Sequence, residues 1–114
     1  MPDNNEKARR KELLNGIRDE ARRKVRDSLP VPLPVLKALF DFLDGQLKST
    51  ECDNTLRLVL DFVRQNGLPE GPVVDWLRDN GGYCDCEALM NAEQVVENAV
   101  PDYSDTEPST NPLR

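Results

Sequence analysis

The sequence predicts a mostly α-helical protein, a small helical bundle that follows a long basic N-terminal helix. Apolar residues recur at spacings of three and four along much of the 114-residue chain, as they do on one face of a helix. Prolines and glycines interrupt this pattern at intervals that match helices of ordinary length. Because 38% of the residues are apolar and 32% are charged, the chain has room for one small core.

Charge divides the chain into two unlike parts. Residues 1–28 hold nine Lys or Arg against six Asp or Glu, a net of +3, whereas the rest holds six against fifteen, a net of −9. We predict a basic amphipathic helix over residues 1–28, a compact helical domain over residues 29–100 and a disordered tail over residues 101–114. The tail is polar and rich in proline, so it is expected to bury too little apolar surface to fold.

The first predicted helix covers residues 4–27 and carries a narrow apolar stripe. The stripe follows helical spacing through Leu14, Ile17, Ala21 and Val25. Basic residues cover the other sides of this helix. It either lies on the body along its stripe, or projects as a basic arm that meets an acidic protein partner, RNA or a second copy of the chain.

Three further helices are predicted in the middle of the chain. The prolines within residues 28–34 form a stiff connector, and a broad apolar face over residues 34–48 supplies the main packing surface. The next helix spans residues 55–66, and one of the polar side chains of residues 53–55 can cap its first turn. A short helix over residues 73–80 follows a tight turn.

The last predicted element is a helix over residues 87–98, which comes after the paired glycines Gly81 and Gly82. Asp85 is suited to cap its first turn. The alternative is a short strand over residues 83–90, in which successive side chains would face opposite sides.

Composition argues against several classes of function. The chain has no histidine, and therefore neither a Ser-His or Cys-His pair for catalysis nor an imidazole ligand for zinc, which points away from an enzyme. An acidic body disfavours nucleic-acid binding, which requires a cationic face. No apolar run approaches the roughly 18–20 residues that span a bilayer, and an apolar secretory signal is lacking. We expect a cytoplasmic protein without membrane contact, whose three cysteines form no structural disulfide.

The cysteines are the strongest candidate for a functional site. Cys52 lies beside the predicted start of the third helix, whereas Cys84 and Cys86 follow the end of the fourth. If these helices pack side by side, the three thiols meet at one end of the bundle. Three thiolates suit zinc, which also accepts oxygen ligands. The donors that can complete four-coordination are Asp53, Asp85, Glu87 and water.

We therefore predict a zinc site formed by Cys52, Cys84, Cys86 and Asp85. Two alternatives stay open. The cysteines can fill gaps beside helix ends as small apolar residues, or they can act as redox thiols. A disulfide across a single intervening residue would be strained and easily reduced.

The motif at residues 52–57, Cys-Asp-Asn-Thr-Leu-Arg, and the motif at residues 81–87, Gly-Gly-Tyr-Cys-Asp-Cys-Glu, together resemble a family of small bacterial proteins, the domain of unknown function 2695. The resemblance extends from about residue 7 to residue 93. It implies a shell of three Cys and one His, with the His at the position of Asn54. This chain departs from that pattern because it has Asn54 at that position. The Asn54 side chain is an amide, which is a poor zinc ligand.

These observations predict a bacterial accessory or protein-interaction domain, more readily non-enzymatic than enzymatic. Its cysteine cluster would be a structural zinc site, and its basic first helix would face a protein partner. The alternative is a thiol-based redox sensor or a metal-dependent enzyme that uses Cys52, Cys84 and Cys86.

Overall fold

The computed structural model describes residues 20–108, and helices make up most of that part of the chain. Helix α1 covers residues 20–27, α2 covers Leu33–Leu47, α3 covers Arg57–Gln65 and α4 covers Glu70–Asp79. Helix α5 has an α-helical start at Asp85–Glu87, a π-helical part at Ala88–Ala92 and an α-helical end at Glu93–Ala99. A 3-10 turn follows at Tyr103–Asp105. The prediction of a mostly helical bundle is confirmed.

Helix α2 lies at the centre of the core and contacts both α3 and α5. Pro32 precedes the helix and Pro34 occupies its first turn, where the missing backbone N–H has no helical partner to lose. The broad apolar face expected from the sequence is buried, and it comprises Val35, Leu36, Ala38, Leu39, Phe40 and Leu43. Because these side chains come from consecutive turns, one helix supplies much of the core.

Helix α3 begins two residues later than the sequence suggests, and its first turn is not capped from residues 53–55. Arg57 is its first residue, and Leu56 at the N-cap position provides no side-chain hydrogen bond. The preceding residues form a separate turn instead, because Thr55 donates its N–H to Asp53 Oδ1 at 3.1 Å and Asn54 adopts a φ of +66°. The amides at the start of α3 must therefore find an acceptor elsewhere.

The alternative of a strand over residues 83–90 is wrong, since α5 begins at Asp85 and the described residues contain no strand. The buried residues of α5 recur at spacings of three and four. They are Asp85, Ala88, Ala92, Val96 and Ala99. This helical periodicity continues far beyond the short alternating stretch, so packing against α2 selects the helix.

The chain contacts the body just beyond residue 100, at the start of the segment over residues 101–114 that the sequence predicts to be a disordered tail. Tyr103 is buried, with 4% of its surface exposed, and its hydroxyl donates to Glu93 Oε2 at 2.7 Å. Lys37 Nζ lies 4.3 Å from the centre of the Tyr103 ring. One aromatic side chain thus holds a polar segment on the body, and residues 109–114 lie outside the described part.

Most of the predicted basic helix over residues 4–27 falls outside the described residues. Its last part forms α1, where Val25 packs against the core and most of the other side chains are exposed. Within residues 20–108, none of the helices combines the length and apolar character that crossing a membrane requires.

Candidate metal centre

The paired glycines Gly81 and Gly82 allow α4 and α5 to meet at close range. Gly81 has a φ of +84°, in the left-handed region that favours glycine. A Cβ on Gly82 would lie 3.0 Å from Ala88 Cα and 3.1 Å from the carbonyl oxygen of Leu77, closer than packed atoms tolerate. The chain can therefore turn directly from the end of α4 into the start of α5, where two of the cysteines lie.

Asp85 joins the start of α5 to the start of α3. Its side chain is fully buried, and its two carboxylate oxygens accept the N–H groups of Leu58 and Val59, each at 3.1 Å. Burial raises the pKa of Asp85, while these two N–H groups act in the opposite direction. The carboxylate supplies the acceptors that α3 lacks locally, so it caps a helix other than its own.

A backbone hydrogen bond strengthens this junction. The N–H of Asp85 donates to the carbonyl oxygen of Thr55 at 3.0 Å. Thr55 belongs to the turn that Asp53 begins and that Cys52 directly precedes, so the turn before α3 lies directly against the start of α5. Cys52 is thereby brought to Cys84 and Cys86 from a distant part of the sequence.

The three sulfur atoms form a compact group in which all of them lie within 4.8 Å of one another. The Sγ atoms of Cys84 and Cys86 are 3.6 Å apart. A tetrahedral zinc ion with Zn–S bonds of about 2.3 Å would separate two sulfurs by about 3.8 Å. The Cys84–Cys86 pair already has this spacing, and Cys52 would need to move by no more than about 1 Å.

The environments of the three thiols differ. The pKa of Cys52 is lowered, chiefly because the backbone N–H of Cys86 points to its sulfur, and the N–H of Asn54 adds to this effect. Burial raises the pKa of Cys84 to about 12, so without a metal its thiol holds its proton at neutral pH. Cys52 and Cys86 are each half-buried, which leaves the group reachable from solvent on one side.

Of the four predicted ligands, the structure brings the three cysteines together and places Asp85 elsewhere. Among the described residues, the group of mutually close metal-binding atoms contains only the cysteine sulfurs. Asp85 neither joins this group nor caps its own helix, for both of its oxygens face α3. The one sequence signal for this role was the absence of a good capping residue immediately before Arg57.

Glu87 contacts the cysteine cluster, although from the sequence it is only one of several possible oxygen donors. Its Oε1 lies 3.5 Å from Cys84 Sγ. The side chain is exposed and lies on the first turn of α5, beside the cysteines. It is thus the carboxylate that directly contacts the sulfur group.

Comparisons with other proteins place the cysteine cluster within a region of similarity. The model of the family described as "Protein of unknown function (DUF2695)" matches residues 39–91, which include all three cysteines. An uncharacterized protein of Mycobacterium tuberculosis is 31% identical over 88 residues, which is 77% of this chain and 89% of that protein. An uncharacterized protein of Mycobacterium bovis matches with the same identity and coverage. No solved structure matches the chain.

Proposed function

The chain belongs to the family described as "Protein of unknown function (DUF2695)", and we propose that it is a zinc-binding accessory domain in which Cys52, Cys84 and Cys86 hold one ion. The observation that carries this proposal is the mutual approach of three sulfurs within 4.8 Å, contributed by two separate segments. Free cysteines that only fill core gaps have no reason to converge with their sulfurs toward one point.

The chemistry of the donors favours zinc. Three thiolates form a soft ligand set, which suits zinc better than calcium or magnesium, whose ligands are oxygen atoms. The N–H groups directed to Cys52 stabilise the thiolate form that a metal requires. Burial keeps the thiol of Cys84 protonated in the absence of a metal. Because zinc binds the thiolate, Cys84 would release this proton when the ion binds.

The ion would act as a cross-link between the turn before α3 and the start of α5. In the structure, hydrogen bonds made by Asp85, through its side chain and its backbone N–H, join these two segments. Because a metal that binds only the folded chain stabilises it, zinc would hold this end of the bundle in one arrangement. We assign contact with a protein partner to the basic residues 1–28, whose charge is opposite to that of the body.

Elemental analysis of tag-free protein tests the metal proposal. We expect about one zinc per chain, protection of the thiols in the native state and loss of both in Cys84→Ala. This variant keeps a small apolar residue at a buried position, so its helical circular dichroism should change less than its metal content. Native protein that holds no zinc, and whose stability does not rise when zinc is added, would contradict the proposal.

A thiol-based redox sensor is the second candidate, and the lowered pKa of the half-buried Cys52 favours it. Peroxide would oxidise the Cys52 thiolate to a sulfenic acid and be reduced to water. The thiol of Cys84 or Cys86 would then displace water and form a disulfide. Mass spectrometry of metal-free protein treated with peroxide should show the loss of two hydrogens. Equal reaction of all three cysteines with peroxide, without a disulfide, would exclude this function.

A further inference from the structure

We propose that Glu87 is the fourth ligand of the metal ion, which makes the site a closed centre of three thiolates and one carboxylate. This inference rests on the proposed zinc site and adds the residue that completes it. It also assigns the class of site, because a metal whose four positions are all filled by the protein is structural, whereas a catalytic zinc keeps one position open for water or substrate.

Two other carboxylates near the cysteines, those of Asp85 and Asp53, are already engaged. Both oxygens of Asp85 accept backbone N–H groups of α3. Asp53 accepts the N–H of Thr55 through Oδ1 and faces the guanidinium of Arg57 through Oδ2, at 3.2 Å. Recruiting Asp85 to a metal would break the hydrogen bonds that cap α3, and recruiting Asp53 would break those that hold the turn before α3. Glu87 carries no such cost, because its side chain contacts Cys84, itself one of the proposed ligands.

The distance between Glu87 and Cys84 fits shared coordination of one ion. In a tetrahedral site with bonds of about 2.3 Å to sulfur and about 2.0 Å to oxygen, the sulfur and oxygen lie about 3.5 Å apart. The separation between Glu87 Oε1 and Cys84 Sγ is 3.5 Å. The Cys84–Cys86 separation of 3.6 Å is likewise close to the about 3.8 Å expected for two sulfurs on one ion.

The side chain of Glu87 has the freedom to complete the site. Its oxygens lie outside the group of atoms that are all within 4.8 Å of one another, so the carboxylate must swing toward Cys52 and Cys86 when an ion binds. The residue is exposed, and rotation about its side-chain bonds displaces no core residue. Its backbone is held on the first turn of α5, three residues after Cys84, so the reach is short.

Cobalt(II) in place of zinc tests this assignment, because its visible spectrum reports the ligands. In the wild-type chain we expect a tetrahedral spectrum that added imidazole does not shift, since no exchangeable ligand is present. In Glu87→Gln, water should take the fourth position, imidazole should shift the spectrum, and affinity for the ion should fall about tenfold or more, as judged by competition with a chelator.

Glu51→Gln is the matched control. Glu51 is exposed and next to Cys52, and it is its backbone carbonyl oxygen, not its carboxylate, that accepts a hydrogen bond from Arg57 Nη2, at 3.0 Å. The substitution removes the same charge near the site without removing the proposed ligand. We expect its cobalt spectrum, its affinity for cobalt and its response to imidazole to match those of the wild-type chain. If Glu51→Gln lost as much affinity as Glu87→Gln, the negative charge of Glu87 alone would explain its effect, and the assignment of Glu87 as a ligand would be overturned.

Glu87→Cys adds a positive test. A fourth thiolate should raise the intensity of the sulfur-to-cobalt charge-transfer band in the ratio of four thiolates to three, and it should remain insensitive to imidazole. An unchanged band would mean that position 87 does not reach the ion. Wild-type protein that binds cobalt but responds to imidazole would overturn the assignment of Glu87 alone, whereas wild-type protein that binds no cobalt would overturn the metal site as well.

Discussion

Asp85 shows how a residue beside candidate ligands can have a different task. It lies between Cys84 and Cys86 in sequence, yet its carboxylate caps α3 through the N–H groups of Leu58 and Val59. Consecutive side chains at the start of a helix point in different directions, so the carboxylate of Asp85 faces α3 while the sulfurs of Cys84 and Cys86 face Cys52. The same residue therefore aligns the two cysteine-bearing segments without contributing to the sulfur group.

Replacing Asp85 by Ala should destabilise the protein by about 2–5 kcal/mol, because it leaves two buried N–H groups of α3 without acceptors. Urea unfolding of metal-free protein, followed by circular dichroism, measures this change. Asp53→Ala is the control, since Asp53 also accepts an N–H in the same region but is exposed to water. We expect a clearly smaller loss for Asp53→Ala. Equal losses for the two variants would contradict the capping role of Asp85.

At the scale of elements, the approach of α4 and α5 decides where the cysteines lie. The N–H of Gly82 donates to the carbonyl oxygen of Leu77 at 2.7 Å, which closes the end of α4. Ala88 packs against Gly82 with its backbone as well as its side chain. Two helices can come this close only where both carry small residues, so the glycine is part of the packing.

Gly82→Ala should lower the free energy of unfolding by about 1–3 kcal/mol, because the new methyl group overlaps backbone atoms that cannot rotate away. Gly45→Ala is the matched control within a helix, for nothing lies within 4 Å of the position of its Cβ. That substitution should stabilise the protein by up to about 1 kcal/mol, through the better helix propensity of alanine. Thermal or urea unfolding of the two variants should therefore give shifts of opposite sign. If both substitutions raised the free energy of unfolding, the space around Gly82 would be wide enough for a methyl group, and the prediction would be wrong.

Helix α3 depends on its neighbours more than its sequence suggests. Its apolar face is clear, with Leu58, Val59, Phe62 and Val63 buried, but its N-terminus has no local cap. Asp85 provides that cap from the start of α5. The formation of α3 is thus coupled to the docking of α5, and the cysteine cluster lies at the point where they join.

At the scale of the whole molecule, the C-terminal segment closes one side of the core. Tyr103 packs beside α2 and α5, where its hydroxyl contacts Glu93 and its ring faces Lys37. Burial raises the pKa of Glu93, and it raises that of Tyr103 as well, so the proton of the hydroxyl stays in their hydrogen bond. A segment with few apolar residues is retained because this single aromatic ring is buried.

Ending the chain after residue 100 should cost about 3–5 kcal/mol of stability, the loss typical of removing a buried aromatic side chain. Ending it after residue 108 should leave stability unchanged, because the polar residues 109–114 are expected to contribute little. Tyr103→Phe separates the hydroxyl from the ring and should cost about 1 kcal/mol. Thermal unfolding of the three variants measures these differences. Equal stability of the two shortened chains would show that Tyr103 does not anchor the segment.

The sequence by itself determined the helical class, the central role of α2 and the cysteines as candidate ligands. These properties depend on the spacing of apolar side chains within a few residues and on proline, which act locally. Where local patterns competed, over residues 83–90, only burial of Ala88, Ala92 and Val96 selected helix. The cap of α3 by Asp85, the anchor at Tyr103 and the contact of Glu87 with Cys84 required the tertiary structure. Two of these contacts join segments remote along the chain, and the third depends on how one exposed side chain is oriented, so no short-range pattern encodes them.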